Sequence, residues 1–242
     1  MTPYLLIHGL IGTLRPLLPI FARHGAAAHA PDLLGYGTLQ AIDPASITLH
    51  AQVEHLLAYL DEQRIDRVHL VGHSVGGAIA MLFAERYPGR VASLVSVEGN
   101  FTLDDAFWSA GVARMSPVDA ETMLETLRAH PDTWLAKAGI DNTPAHRATA
   151  LHLLNNQPAS TLQATAGSVL QVTGDEGYLH SVRAVLAGPI PVHLLAGKDS
   201  RDGWHVPDWA LQAASSMTLL PGGHLMMVQD PERFVTTVLA RR

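Results

Sequence analysis

The feature that most restricts the fold is a pentapeptide, Gly72-His73-Ser74-Val75-Gly76. It is set between the apolar run Val68-His69-Leu70-Val71 and the apolar stretch Ala78-Ile79-Ala80-Met81-Leu82-Phe83-Ala84. The first run has the length of a buried strand and the second the character of a buried helix, so the pentapeptide reads as a tight strand-to-helix turn. In a G-x-S-x-G turn of this kind the strand end and the helix start come into contact, and side chains at the flanking positions would collide; the glycines answer that constraint. The serine hydroxyl is then expected to stand out over the edge of a sheet.

The rest of the chain alternates in the same way. Short apolar runs at Tyr4 to Ile7, Ala26 to Ala30, Val68 to Val71, Val91 to Val97, Ile190 to Ala196 and Met217 to Leu220 barely alternate in polarity, as strands covered on both faces do. Helical patterns lie between and after them, at Leu14 to Arg23, Thr48 to Arg64, Val75 to Arg86, Gly177 to Leu186, Pro207 to Ala214 and Pro231 to Arg241. Thr48 supplies a helix cap and Pro88-Gly89 a stop. This order predicts an α/β fold with a mostly parallel sheet of about six strands and helices on both faces.

One interval departs from the alternation. From Phe101 to about Ser168 no strand is apparent, only helical spacing broken by turns near Ser116-Pro117, His130-Pro131, Asn142-Thr143-Pro144 and Gln157-Pro158. A helical insertion over 101–168 is expected. Its large side chains, Phe101, Phe107, Trp108, Met115, Met123 and Trp134, either line a pocket or hold the inserted helices to the core; Phe101 and Trp108 are the pocket candidates.

Composition narrows the classes of function. A chain of 242 residues with 48% hydrophobic residues can bury one sizeable core, so a single domain over 1–242 is expected. A net charge of -6 with scattered Lys and Arg offers no basic surface for nucleic acid. There is no cysteine, which removes disulfides, thiolate nucleophiles and thiolate metal sites. The 14 histidines form no H-E-x-x-H and no zinc-finger spacing, so neither a metal nor a cofactor is assigned. The amino terminus lacks the basic and long apolar segments of a signal peptide, so a cytoplasmic protein is the expectation. The apolar stretch from Val75 to Ala84 is too short to span a bilayer, and no membrane insertion is expected.

A serine hydroxyl becomes a useful nucleophile only when a neighbouring base takes its proton. His224 is the candidate, because Leu219-Leu220-Pro221-Gly222-Gly223-His224-Leu225 comes after the last strand and its glycines allow the loop to turn back over the sheet edge. Negative charge developing on the substrate needs two backbone N–H donors. Val75, directly after the serine, is expected to give one. Leu10, in Ile7-His8-Gly9-Leu10-Ile11-Gly12 after the first strand, is expected to give the other.

His8-Gly9 after the first strand, Pro31-Asp32-Leu33-Leu34-Gly35-Tyr36-Gly37 after the second, the Ser74 turn after the third and Gly223-His224 near the end stand in the order of the α/β-hydrolases. The chain resembles that superfamily over nearly its whole length, in particular its smaller serine esterase-like members, which start at the His-Gly strand. The resemblance implies a serine hydrolase with a helical cap inserted in the core. The acid that orients His224 has two candidate positions. In many members it comes after the strand that succeeds the cap, in a G-x-x-D pattern, but here that loop reads Ala196-Gly197-Lys198-Asp199-Ser200-Arg201-Asp202, with serine at the expected place. In a branch resembling haloalkane dehalogenases and some lactone hydrolases the acid ends the strand after the elbow helix, where Glu98 stands 24 residues beyond Ser74. A carboxylate at a strand end is costly to bury without a partner, and His224 would supply one. The order of preference is Glu98, then Asp199, then Asp202. The expected substrate is a small-molecule ester or lactone. Lyase or other non-hydrolytic chemistry on the same residues, and a slow-turnover binding protein, are the alternatives.

Overall fold

The computed structural model describes residues 1–241. Six strands, β1 (Tyr4–Ile7), β2 (Ala28–His29), β3 (Val68–His73), β4 (Val91–Val97), β5 (Val192–Gly197) and β6 (Ser216–Leu220), form one sheet in the order β2-β1-β3-β4-β5-β6. Every neighbouring pair is parallel. Before β4 lie α1 (Leu18–Arg23), α2 (Leu49–Glu62) and α3 (Val75–Arg86). Between β4 and β5 run α4 (Phe107–Ala113), α5 (Pro117–Ala129), α6 (Pro131–Lys137), α7 (Pro144–Leu154), α8 (Ala159–Thr173) and α9 (Glu176–Ala187). The chain closes with α10 (Asp208–Ala213), α11 (Met226–Gln229) and α12 (Pro231–Leu239).

Successive strand residues point to opposite faces, and the core divides accordingly. Leu5, Ile7, Leu70, Leu94 and Leu194 pack with Leu56 of α2, the whole apolar body of α3, and Val182 of α9. Their sequence neighbours Tyr4, Leu6, Val71, Val95 and Leu195 pack on the other face with Phe21 of α1 and Phe234 of α12. Because both faces are covered, the strands read in sequence as unbroken apolar runs. Helix α3 is buried from Val75 to Ala84 between the sheet and its helical neighbours, which is why its sequence has no polar face. No described helix is long and apolar enough to cross a membrane.

The sequence ranges shift only at their ends. β2 is reduced to two residues, Ala28–His29, paired with β1. Thr48 lies just outside α2, where its hydroxyl accepts the Ala51 N–H at 3.0 Å. The helical run between β4 and β5 extends past residue 168, through α8 to Thr173.

Parallel strands bring their carboxyl ends to one edge, and register sets the height at which each outgoing loop leaves the sheet. His73 of β3 pairs with Val97 of β4, so Ser74 and Glu98 emerge side by side; the Ser74 N–H donates to Val97 O and the Glu98 N–H to Leu195 O, both at 2.9 Å. The turns after β1 and β6 deliver Leu10 and His224 to the same edge.

The crossing of β3 and α3 is made by backbone alone. A Cβ on Gly72 would lie 2.3 Å from Gly76 O, and one on Gly76 would lie 2.3 Å from Ile7 O and 2.5 Å from His8 O. Gly89, by contrast, has open space where a Cβ would go. Gly76→Ala is therefore expected to lower stability by about 1–3 kcal/mol, seen as a Tm several degrees below wild type, since only backbone movement relieves the overlap. Gly89→Ala should melt within about 0.5 kcal/mol of wild type. Equal melting temperatures for the two variants would contradict this account of the turn.

Candidate active site

Ser74 sits between β3 and α3 at φ 55°, ψ -123°, a backbone region that side chains rarely occupy. Its own main chain is fully engaged: the N–H bonds Val97 O, while its carbonyl accepts from Gly77 N at 2.8 Å and Asn100 N at 3.3 Å. The strain is thus held in place by both flanking elements. A further close approach, between Gly77 of α3 and Gly99 after β4, leaves a hypothetical Gly77 Cβ 2.4 Å from the Gly99 Cα. The pentapeptide does not announce this second glycine pair, because Gly77 and Gly99 both lie outside it.

His224 Nδ1–H donates to Glu98 Oε2 at 2.6 Å. Glu98 Oε1 accepts from the Gly197 N–H at 2.8 Å and from the Ser200 hydroxyl at 2.5 Å. Glu98 is itself held at φ 43°, so two of the residues brought to this edge carry left-handed backbone. Burial pushes its carboxyl pKa up, but the His224 hydrogen bond and charge, the Ser200 hydroxyl and the Gly197 amide together outweigh burial and hold it below the ordinary carboxylate range. With Nδ1–H given to the carboxylate, His224 presents its Nε2 lone pair outward, the state a general base requires. Among the described residues Ser74 Oγ has no hydrogen-bond partner, His224 included.

Asp199 and Asp202 are both exposed, and among the described residues neither makes a hydrogen bond or ion pair with His224. The Asp199 N–H instead donates to Gly222 O at 3.0 Å, and Lys198 N–H to Leu220 O at 2.8 Å, lacing this turn to the strand and loop that lead to His224. Ser200 is a member of this cluster that the sequence does not single out, although its place in the G-x-x-D pattern is a usable signal: its hydroxyl donates to the carboxylate that holds His224.

The Leu10 and Val75 N–H groups make no hydrogen bond within the described residues, so both remain available as donors. Leu10 is fixed from its other side, its carbonyl accepting the Tyr36 hydroxyl at 2.9 Å. Tyr36 belongs to the Gly35-Tyr36-Gly37 loop and is wholly buried, which raises its pKa and keeps it a neutral donor. Phe101 is buried against Trp204, with ring centroids 6.0 Å apart. Trp108 is 40% exposed and Phe107 70% exposed on α4. None of these three walls the cavity beside the site. That cavity, of about 30 Å³, is bounded by His8, Gly9, His73, Leu153, Leu225 and Met227 among others. No group of three or more His, Asp or Glu side chains suited to a metal occurs among the described residues.

Two further imidazoles lie in this region. His73 packs against His224 with ring centroids 4.5 Å apart and planes tilted by 43°, and it donates its Nε2–H to the His224 carbonyl at 3.0 Å. His8 donates Nδ1–H to Gly9 O at 2.8 Å. Burial lowers the His8 pKa to about 4, and burial with the nearby His224 lowers that of His73 to about 3. Both are neutral at neutral pH. An unfolded chain binds protons at these positions from about pH 6.5 downward while the folded chain refuses them until about pH 4 and pH 3, so acidification through that window favours unfolding. Each histidine should remove about 2 kcal/mol of stability between about pH 7 and pH 5. Urea titrations at the two pH values should show His8→Gln losing about 2 kcal/mol less than wild type over the same step; an unchanged loss would contradict a neutral His8.

Residues 4–237 match the model of the alpha/beta hydrolase family. The chain is 37% identical over 112 residues to 2-hydroxy-6-oxo-2,4-heptadienoate hydrolase of Pseudomonas putida, an alignment that takes in 43% of this chain and 40% of that protein. It is 42% identical over 78 residues to epoxide hydrolase 2 of Siraitia grosvenorii, covering 32% of this chain and 25% of the relative. These matches span less than half of either relative. Among solved structures, a thermophilic esterase from Thermogutta terrifontis superimposes with a TM-score of 0.71 at 20% identity, over 99% of this chain and 89% of that one. A fully parallel six-stranded sheet with helices on both faces, a strained serine between strand and helix at its edge, and a family match over nearly the whole length lead to one statement: this chain belongs to the α/β-hydrolase family.

Proposed function

We propose that the protein is a serine hydrolase that cleaves a carboxylic ester or lactone of a small, largely apolar substrate through an acyl-enzyme on Ser74. The observation that carries this reading is the 2.6 Å bond from His224 Nδ1 to Glu98, made at the sheet edge where Ser74 emerges. Ser74 Oγ attacks the acyl carbon as His224 Nε2 takes its proton. Glu98 holds the imidazole in the required tautomer and offsets the charge it gains. The Leu10 and Val75 amides receive the oxyanion, an arrangement in which one donor is typically worth about 100- to 1000-fold in rate. His224 then protonates the leaving oxygen, and water activated by the same imidazole releases the acid.

In this reading α4 to α8 form a cap over the catalytic edge. Support comes from α7, whose Thr149 and Leu153 wall the cavity, and from the turn after it, where Asn156 Nδ2 donates to Gly12 O at 2.8 Å and Gln157 Oε1 accepts Gly12 N–H at 2.9 Å. A second reading, favoured by the 37% identity to the Pseudomonas putida protein, is hydrolysis of an unsaturated oxo acid of the kind in that relative's name. Comparing kcat/KM on short-chain chromogenic esters, lactones and such an acid separates the two.

Ser74→Ala is expected to abolish ester turnover, and wild-type turnover in that variant would end the proposal. Glu98→Gln should lower kcat by about 10³- to 10⁴-fold, because the amide orients the imidazole without stabilising its positive form. Asp199→Asn should leave kcat within about twofold. A large loss in Asp199→Asn with none in Glu98→Gln would move the acid to the later loop.

A further inference from the structure

The cavity beside the site presents a mostly apolar wall of Leu153, Leu225, Met227 and their neighbours, broken by the imidazoles of His8 and His73 and by Thr13 and Thr149. A volume of about 30 Å³ admits about two or three non-hydrogen atoms, judged against the ~10–15 Å³ that one water needs. His73 is the polar group nearest the chemistry. Its Nε2 faces the His224 carbonyl at 3.0 Å, and a carbonyl only accepts, so Nε2 carries the proton and Nδ1 carries a lone pair. Nδ1 makes no hydrogen bond among the described residues. It faces Gly9: a Cβ placed on Gly9 would lie 3.0 Å from His73 Nδ1 and 3.0 Å from the Ser74 Cβ. Gly9, which lines the cavity, therefore packs against both the edge of the His73 ring and the side chain of Ser74, so the cavity lies one backbone residue from the nucleophile.

The ring has little freedom to present anything else. It is buried, packed against the His224 ring and bonded to the His224 main chain, and burial keeps it neutral, so it remains an acceptor through the neutral pH range. An acceptor on a mostly apolar wall favours a partner that brings a donor over one that merely fills the space, since the latter leaves the lone pair unpaired.

We infer that this cavity binds one small arm of the substrate, that the arm carries a single hydroxyl or N–H donor, and that His73 Nδ1 accepts from it. The substrate class narrows to esters of small hydroxylated alcohols or of short hydroxy or amino acids. The inference rests on the hydrolase reading above and makes His73 a specificity-determining residue within it.

Two isosteric pairs test it: 2-hydroxyethyl acetate against n-propyl acetate for the alcohol arm, and ethyl glycolate against ethyl propionate for the acyl arm. Wild-type kcat/KM is expected to favour the hydroxylated member of one pair by about tenfold, the worth of one well-placed neutral hydrogen bond. In His73→Leu that ratio should fall to about one, whatever the variant's overall rate, because a lost support for the His224 loop lowers both members together. Wild-type ratios of about one in both pairs overturn the inference without any variant. A ratio that persists in His73→Leu overturns the assignment to His73. Labelling of Ser74 by a fluorophosphonate and turnover of plain n-propyl acetate check the hydrolase reading separately. If esters are cleaved without preference, the inference alone falls; if Ser74 is neither labelled nor any ester cleaved, both fall.

Discussion

The close approach of backbone to backbone at the end of β3 is the constraint on which the rest of the site depends. Gly72 and Gly76 let α3 start directly against β3 and against the carbonyls of Ile7 and His8, and Gly77 meets Gly99 beyond β4. Three of the central strand ends are thereby drawn together with no side chains between them. The geometry of the Ser74 turn, the height of Glu98 and the path of the loop through Leu10 are all set by those contacts. Left-handed backbone at Ser74 and Glu98 costs on the order of 1–3 kcal/mol each. It persists because the hydrogen bonds to Val97, Leu195, Gly77 and Asn100 determine the chain on both sides.

Electrostatics at the edge sets one imidazole apart from its neighbours. Three imidazoles lie close together, yet burial keeps His8 and His73 neutral and their N–H groups are committed to backbone carbonyls. His224 alone is part-exposed and faces a carboxylate. Glu98 in turn has both oxygens occupied by donors, which is what makes a buried charge tolerable at a strand end. Charge in this part of the molecule therefore has one defined resting place and one defined place to move.

Much of the architecture is legible in the sequence because it rests on short-range rules. Strands covered on both faces show as apolar runs, and β4 is legible to the residue; Val75–Arg86 is marked by its glycines and its fully apolar body. Tertiary contact sets the parts that escape. β2 spans only two residues, and no local signal in Ala26 to Ala30 reports where its pairing with β1 stops. The site is legible where a residue type is required by chemistry, as at Ser74 and His224. Where a fold supplies two routes to the same imidazole, pattern alone leaves Glu98 and Asp199 open. Distance separates them: Glu98 meets His224, while Asp199 turns to solvent. Ser200, Tyr36 and His73 are illegible as supports since each acts through a hydrogen bond to a residue far away in the chain. Trp108 stands out by its size and aromaticity, properties that say nothing of which way a helix faces.

The bonds from Asn156 and Gln157 to the two backbone polar atoms of Gly12 tie the turn between α7 and α8 to the loop that carries the Leu10 amide. Gly12 has φ 104°, and a Cβ there would lie 2.8 Å from the Leu153 side chain, so this junction is closely packed as well. Any tilt of the inserted helices is thus transmitted as a pull on the loop beside Ser74. Helix turn and loop are fastened at Gly12, so a change of shape in one is felt at once in the other.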